Sequence, residues 1–101
     1  MSSNNYWLHK QLQAIQGLVV AAECVPLITV SHHGREYRIY TPTPNEYIIT
    51  ADIVDKVREL GGNVISYPTT WCRASSEAIG HGRTLGIEVI PHGRLFELMG
   101  R

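Results

Sequence analysis

The sequence predicts a single α/β domain over residues 1–101, with an α+β arrangement as the alternative. Three observations lead to this expectation. Residues 51–99 follow the order α-β-α-β-α, and a strand-helix-strand succession typically produces a parallel pair of strands. A stretch rich in Ile, Val, Thr and Tyr precedes them. A chain of 101 residues, 44% of them apolar, is long enough to form one compact core.

The N-terminal segment predicts an amphipathic helix. From Asn5 onward, apolar residues recur at steps of three and four, which places them on one helical face. They are Leu8, Leu12, Ile15, Val19 and Ala22. Pro26 is expected to end this helix. Because Gly17 weakens a helix, the run LVVAAECV also fits a short buried strand.

A β-hairpin is predicted next. Two segments with strand composition, residues 27–31 and 36–41, flank the sequence His32-His33-Gly34-Arg35. Gly34 is expected to supply the positive φ that a tight hairpin turn requires.

A second helix is predicted after the hairpin. Thr50 occupies the N-cap position ahead of ADIVDKVREL, whose Ile53, Val57 and Leu60 fall on one face. Gly61 and Gly62 follow and are expected to end the helix in the left-handed conformation.

The C-terminal half predicts a βαβ unit. Its strands are the apolar runs NVISY and IEVI, its helix covers residues 71–85, and a final amphipathic helix covers residues 94–99. The helices would cover a sheet of about four strands. So small a sheet leaves open edges, and the apolar N-terminal segment with Tyr6 and Trp7 exceeds what one small core buries. A homodimer is therefore expected.

Two loops are predicted to carry a binding site. In open sheets with parallel strands, ligands bind beyond the carboxyl ends of the strands. The first loop there holds Thr69, Thr70 and Trp71, whose hydroxyls and helix-opening amides suit an anion. The second holds His92 as an acid or base and Arg94 as an anion clamp.

The same residues also fit purely structural roles. Thr70 would then be a helix N-cap, Gly93 a turn residue and Arg94 a solvated helix residue. The spelling His-Gly-Arg of residues 92–94 also occurs at residues 33–35 and 81–83. We expect the first triplet to form a hairpin turn and the second to pack a small-residue helix face on the sheet, so only the third belongs to a site.

Composition excludes several classes of function. Nine basic and nine acidic residues cancel, so the diffuse attraction of a basic protein to nucleic-acid phosphates is not expected. Cys24 and Cys72 lack CxxC spacing and no histidines are spaced as HxxxH, so neither a metal nor another cofactor is predicted. No long apolar run suggests secretion or membrane insertion, which leaves the cytoplasm as the expected location.

Residues 75–90, SSEAIGHGRTLGIEVI, resemble a stretch of nucleoside 2-deoxyribosyltransferase-like proteins and their small Rossmann-like relatives. Five residues fall in register with that family, namely Gly80, Leu85, Gly86, Val89 and Ile90. The resemblance implies a Rossmann-like C-terminal half. It also implies that Glu77 is the nucleophile that takes the deoxyribosyl group, a chemically reasonable role for a carboxylate.

Two classes of function follow. The first is a non-enzymatic binding or regulatory protein that recognises a nucleotide, a nucleic acid or a protein partner through the two loops. The second is a small enzyme acting on a nucleoside or nucleotide, with Glu77 as nucleophile or base and His92 as proton carrier. Glu77 and His92 in one cleft would favour the enzyme, whereas opposite surfaces would argue against it.

Overall fold

The computed structural model describes residues 3–21 and 27–100, with side chains from Trp7 onward. Within these residues the elements follow in the order α1 (Ser3–Gln13), β1 (Val19–Val20), β2 (Ile28–His32), β3 (Arg35–Tyr40), β4 (Ile48–Ile49), α2 (Ala51–Leu60), β5 (Val64–Tyr67), β6 (Arg73–Ala74), α3 (Ser76–Leu85), β7 (Glu88–Pro91) and α4 (His92–Leu98).

Five strands form one mixed sheet in the spatial order β1-β2-β3-β5-β7. The first three are antiparallel, and β3, β5 and β7 are parallel to one another. The α/β prediction and the C-terminal βαβ unit are thus confirmed, with β1 added to the four expected strands. Because β3, β5 and β7 run in one direction, their carboxyl ends meet at the same edge of the sheet.

Helices cover both faces of this sheet. On one face, α2 and α3 bury their apolar side chains against Tyr40, Ile65 and Val89. On the other face, α1 and α4 pack against Ile39 and Val64. Neighbouring residues of β3 and β5 thus point to opposite cores, as the twofold side-chain alternation of a strand requires.

The hairpin forms where the sequence predicts it. His32 pairs with Arg35, so His33 and Gly34 alone make the turn. Both have positive φ, 50° and 76°, as a type I′ turn requires. His33 and Gly34 of the first His-Gly-Arg triplet therefore form the turn, as expected, and Arg35 begins β3. His33 shares the left-handed conformation with the glycine.

Helix α2 forms over the predicted residues, although Leu60, expected on its apolar face, is 41% exposed. Val54 and Val57 are fully buried, and Gly61 ends the helix with a φ of 89°. Thr50 occupies the N-cap position without a side-chain capping hydrogen bond. Gly62 has an ordinary φ, and a Cβ there would lie 2.6 Å from the Val57 side chain. The two glycines therefore serve different purposes, a left-handed turn and a close approach.

The N-terminal helix is shorter than its apolar periodicity predicts. Leu8 and Leu12 are buried, but α1 ends at Gln13 and Gly17 follows with a φ of 88°. Residues 19 and 20 form β1, which pairs with β2. This part of the run is therefore a short strand, as in the alternative, but it is not buried, since Val19 is 70% exposed. The expected end of the helix at Pro26 lies outside the described residues.

The helix predicted over residues 71–85 begins five residues later than expected. Residues 73 and 74 form β6, a parallel partner of β4 in a separate two-stranded sheet. The N-cap of α3 is Ser75, whose hydroxyl oxygen accepts a hydrogen bond from the amide of Ala78 at 3.0 Å. Thr70 is therefore not the N-cap. Pairing with β4, a contact between residues distant in the sequence, overrides the local helical pattern.

A polar cluster holds the loop that follows β3. The Tyr40 hydroxyl donates to Glu46 Oε1 at 2.6 Å, and Lys56 Nζ donates to Glu46 Oε2 at 3.0 Å. The Thr43 amide donates to Glu46 Oε1 at 2.9 Å. Burial opposes ionisation of the carboxyl, but these hydrogen bonds outweigh it and hold the pKa of Glu46 below its usual value. The cluster fixes one side of the sheet edge at which the parallel strands end.

None of the helices in the described part of the chain is both long and apolar enough to span a bilayer.

A candidate binding cleft at the edge of the parallel strands

A cleft of about 430 Å³ opens beyond the carboxyl ends of β5 and β7. Its volume falls within the range of small-molecule sites. Helix α1, the loop after β5 and helix α4 each contribute to its lining, which consists of Trp7, Pro68, Thr69, Thr70, Trp71, His92, Gly93 and Phe96. Two elements from opposite ends of the chain therefore meet at one site.

Strand pairing brings the two predicted loops together. Tyr67, the last residue of β5, is the register partner of Pro91, the last residue of β7. The residues that follow these two positions therefore start side by side. This placement explains why the loop at residues 68–71 and the beginning of α4 line the same cleft.

The loop after β5 is anchored at both ends and exposed between them. The amide of Cys72 donates to the carbonyl of Pro68 at 3.0 Å. The Cys72 thiol is buried, lies 3.4 Å from the carbonyl oxygen of Glu46, and has its pKa raised by that burial. Trp71 stands on this anchored turn with 40% of its surface exposed. The indole is thus presented to solvent from a fixed backbone.

His92 is the buried polar group of the cleft. Only 7% of its surface is exposed, and its Nδ1 lies 2.5 Å from the hydroxyl oxygen of Ser66, which is fully buried on β5. Its Nε2 has no hydrogen-bond partner among the described residues. Burial lowers the pKa of His92 to about 4, because a buried imidazolium loses its hydration. The ring is therefore neutral at pH 7.

The ring of Trp7 packs against this imidazole, and the ring of Phe96 packs against Trp7. The ring centroid of Trp7 lies 5.8 Å from that of His92 and 6.2 Å from that of Phe96. Trp7 nevertheless keeps 47% of its surface exposed. Phe96 stands four residues after His92 in α4, a spacing that places both on one helical face. The cleft consequently offers flat apolar surfaces beside a buried polar atom, His92 Nε2, that has no partner among the described residues.

The cleft carries no charge of its own, since none of the described residues that line it is Asp, Glu, Lys or Arg. A neighbouring depression of about 410 Å³ shares residues 69–71 with it and extends to Arg73. Arg73 is exposed and makes no ion pair with the described residues. The positively charged guanidinium of Arg73 therefore lies outside the cleft, in the adjoining depression.

The structure brings together four of the predicted binding residues. Thr69, Thr70, Trp71 and His92 line the cleft. Arg94 does not line it, since its guanidinium lies on the surface, 3.6 Å from the Glu97 carboxylate. The sequence predicted an anion clamp at this position, but α4 begins at His92, and two helical steps of about 100° each turn Arg94 away from His92.

The proposed catalytic pair is not brought together. Glu77 is exposed in the first turn of α3 and does not line the cleft of His92. Helices α3 and α4 pack on opposite faces of the sheet.

The second His-Gly-Arg triplet packs as expected. Gly82 faces β7 so closely that a Cβ there would lie 2.7 Å from the carbonyl oxygen of Ile87. His81 Nε2 lies 2.7 Å from Asp55 Oδ1 and so connects α3 to α2. In the part of the chain that the structure describes, no three His, Cys, Asp or Glu side chains are grouped as metal ligands.

Sequence reasoning missed three residues of the site. Trp7 and Phe96 line the cleft, and Ser66 binds the imidazole. The spacing of Phe96 from His92 was a usable signal, because residues four apart share a helical face once α4 begins at His92. Ser66 stands between two apolar neighbours on β5, and an isolated polar residue in a buried strand indicates a polar partner.

No protein-family model, curated protein or solved structure compared with this chain matches it.

Proposed function

We propose that this protein is a non-enzymatic binding protein that holds a nucleobase, of a nucleotide or of a single-stranded nucleic acid, in the cleft. The observation that carries the proposal is the lining of that cleft. Both tryptophans of the chain, Trp7 and Trp71, line the same cleft as His92, whose Nε2 is buried and has no partner among the described residues. Flat apolar surfaces with few polar groups are typical of ligand sites, and nucleobases stack on aromatic side chains.

The arrangement of charge supports a base rather than a phosphate inside the cleft. Its lining is uncharged among the described residues, whereas Arg73 lies exposed at the adjoining depression. A nucleotide would place its ring between the aromatic side chains and direct its phosphate outward toward Arg73, since a guanidinium suits phosphate oxygens.

An enzymatic role receives no comparable support. Glu77, the proposed nucleophile or base, does not line the cleft, and the hydroxyl of Ser66 is fully buried. A nucleophile has to reach the substrate. We therefore favour binding over N-glycosyl transfer or hydrolysis.

Tryptophan fluorescence tests the proposal directly because both of the chain's indoles line the cleft. We expect thymidine, deoxyadenosine, their 5′-monophosphates, or short oligo-dT and oligo-dA to quench this emission in a saturable manner. In the variant Trp71→Ala, the fluorescence of Trp7 reports binding. The affinity is expected to weaken about 5- to 150-fold, since one base–aromatic stack contributes about 1–3 kcal/mol.

Tyr47→Ala is the matched control, because Tyr47 is an exposed aromatic residue, at 61%, that does not line the cleft. It should leave affinity unchanged. Emission that stays constant across the whole panel would overturn nucleobase binding and leave a protein partner as the leading explanation. Equal losses in the two variants would place the bound base elsewhere on the surface.

A further inference from the structure

The Nε2 atom of His92 is a buried polar atom without a partner among the described residues. His92 is 7% exposed, and no described residue hydrogen-bonds to Nε2. Buried polar groups are nearly always paired, because an unpaired one has given up its hydrogen bonds to water without replacement. Because His92 lines the cleft, a ligand bound there would supply the missing partner.

The hydrogen bond between Ser66 and His92 shows whether Nε2 is a hydrogen-bond donor or an acceptor. His92 Nδ1 is the one hydrogen-bond partner of the Ser66 hydroxyl among the described residues. If the hydroxyl donates to Nδ1, its hydrogen is used and the ring proton is on Nε2. If Nδ1 carried the proton instead, both the hydroxyl hydrogen and the Nε2 lone pair would be unpaired. The first arrangement leaves one unpaired group rather than two, so Nε2 is a donor.

The neutral state of the ring agrees with this assignment. Burial lowers the pKa of His92 to about 4, so one ring proton is present at neutral pH. With Nδ1 accepting from Ser66, that proton is on Nε2 and requires an acceptor.

The ring of Trp7 packs against the ring that carries this donor. The centroids of the Trp7 and His92 rings are 5.8 Å apart. Trp7 is half-exposed, whereas His92 is buried. The adjoining Leu8, together with Leu12, is fully buried and fixes α1 on the sheet. The indole can therefore change rotamer while the helix stays in place.

We propose that His92 Nε2–H donates a hydrogen bond to an acceptor on the edge of the bound base, a carbonyl oxygen or ring nitrogen, and that Trp7 turns aside to admit it. The inference rests on the proposed function and adds the feature by which the site selects its ligand. A ring of the same shape without an acceptor should bind poorly, because it leaves the buried donor unpaired.

Two matched pairs of nucleosides test this selection. Thymidine is compared with its 2,4-difluorotoluene analogue, and deoxyadenosine with its 4-methylindole analogue, since each analogue keeps the shape of the base and lacks strong acceptors. The natural member is expected to bind the wild-type protein at least tenfold more tightly. In the double variant Ser66→Ala, His92→Phe, which removes both hydrogen-bonding groups, the ratio should fall to about one while the analogue still binds.

The outcomes separate the two proposals. Equal binding of natural base and analogue to the wild-type protein overturns the role of His92 and leaves nucleobase binding in place. Absence of binding by all four nucleosides overturns both. Trp7→Ala, monitored through Trp71, should keep the preference and raise the association rate constant. An unchanged association rate constant would overturn the role of Trp7 as a cover of His92. Circular dichroism verifies that each variant is folded.

Discussion

Gly82→Ala is expected to lower the free energy of unfolding by about 2 kcal/mol, although alanine is the better helix former. A Cβ at this position would lie 2.7 Å from the carbonyl oxygen of Ile87 and 3.1 Å from the Val89 side chain. Overpacking of this kind typically costs about 1–3 kcal/mol. The backbone of Ile87 cannot move aside easily, because its amide also donates to the Gly82 carbonyl at 2.7 Å.

Gly80→Ala provides the matched control in the same helix. A Cβ there would meet no atom within 4 Å, so the substitution should raise the free energy of unfolding by about 0.5–1 kcal/mol through helix propensity alone. Urea unfolding followed by circular dichroism measures both variants. If both were stabilised alike, the tight contact between α3 and β7 would be contradicted.

Lowering the pH from 7 to 5 is expected to destabilise the protein by about 2 kcal/mol through His92. Its pKa is about 4 in the folded protein and 6.5 as the reference value for the unfolded chain. As the pH falls through 6.5, the unfolded chain binds a proton that the folded state excludes, so the equilibrium shifts toward unfolding. The stability contributed by the neutral ring is complete above about pH 7 and is lost progressively toward pH 4.

His92→Gln isolates this contribution, because glutamine does not titrate. Urea unfolding at several pH values measures the free energy of unfolding that is lost between pH 7 and 5. In the variant this loss should be smaller than in the wild-type protein by about 2 kcal/mol, whatever the stability of the variant at pH 7. An unchanged pH dependence would mean that the imidazole is solvated in the folded state. That result would also remove the reason to regard Nε2 as an unpaired donor.

Local sequence patterns account for much of the fold. The hairpin and α2 depend on signals within a few residues, the glycine of a tight turn and a helical stripe ended by Gly61. Strands β5 and β7 depend on short apolar runs. These elements form where the sequence predicts them, because the sequence signal for each of them lies within the element or next to it.

The secondary-structure predictions are wrong where contacts between residues distant in the sequence determine the conformation. Residues 73 and 74 have a helical pattern but pair with β4. Residues 19 and 20 continue an apolar helical stripe but pair with β2. In each case a partner strand elsewhere in the chain supplies backbone hydrogen bonds that a local pattern cannot reveal.

The candidate site was likewise predictable in part from the sequence and depends in part on distant contacts. The topology of parallel strands was enough to predict that the loop carrying Trp71 and the position of His92 would be neighbours. The part played by Trp7 depends on how α1 packs across the sheet, and the orientation of Arg94 depends on the residue at which α4 begins. Neither is encoded within a short window of sequence.

If Trp7, Trp71 and His92 form one binding cleft, the two indole N–H signals in a ¹H–¹⁵N correlation spectrum should respond together to a bound nucleoside. The chain contains two tryptophans, so two indole signals are expected. On titration with thymidine and, separately, deoxyadenosine, we predict that at least one of these nucleosides shifts both signals along one shared saturation curve. Failure of both nucleosides to move either indole signal, or movement of one indole signal alone, would contradict a shared binding cleft.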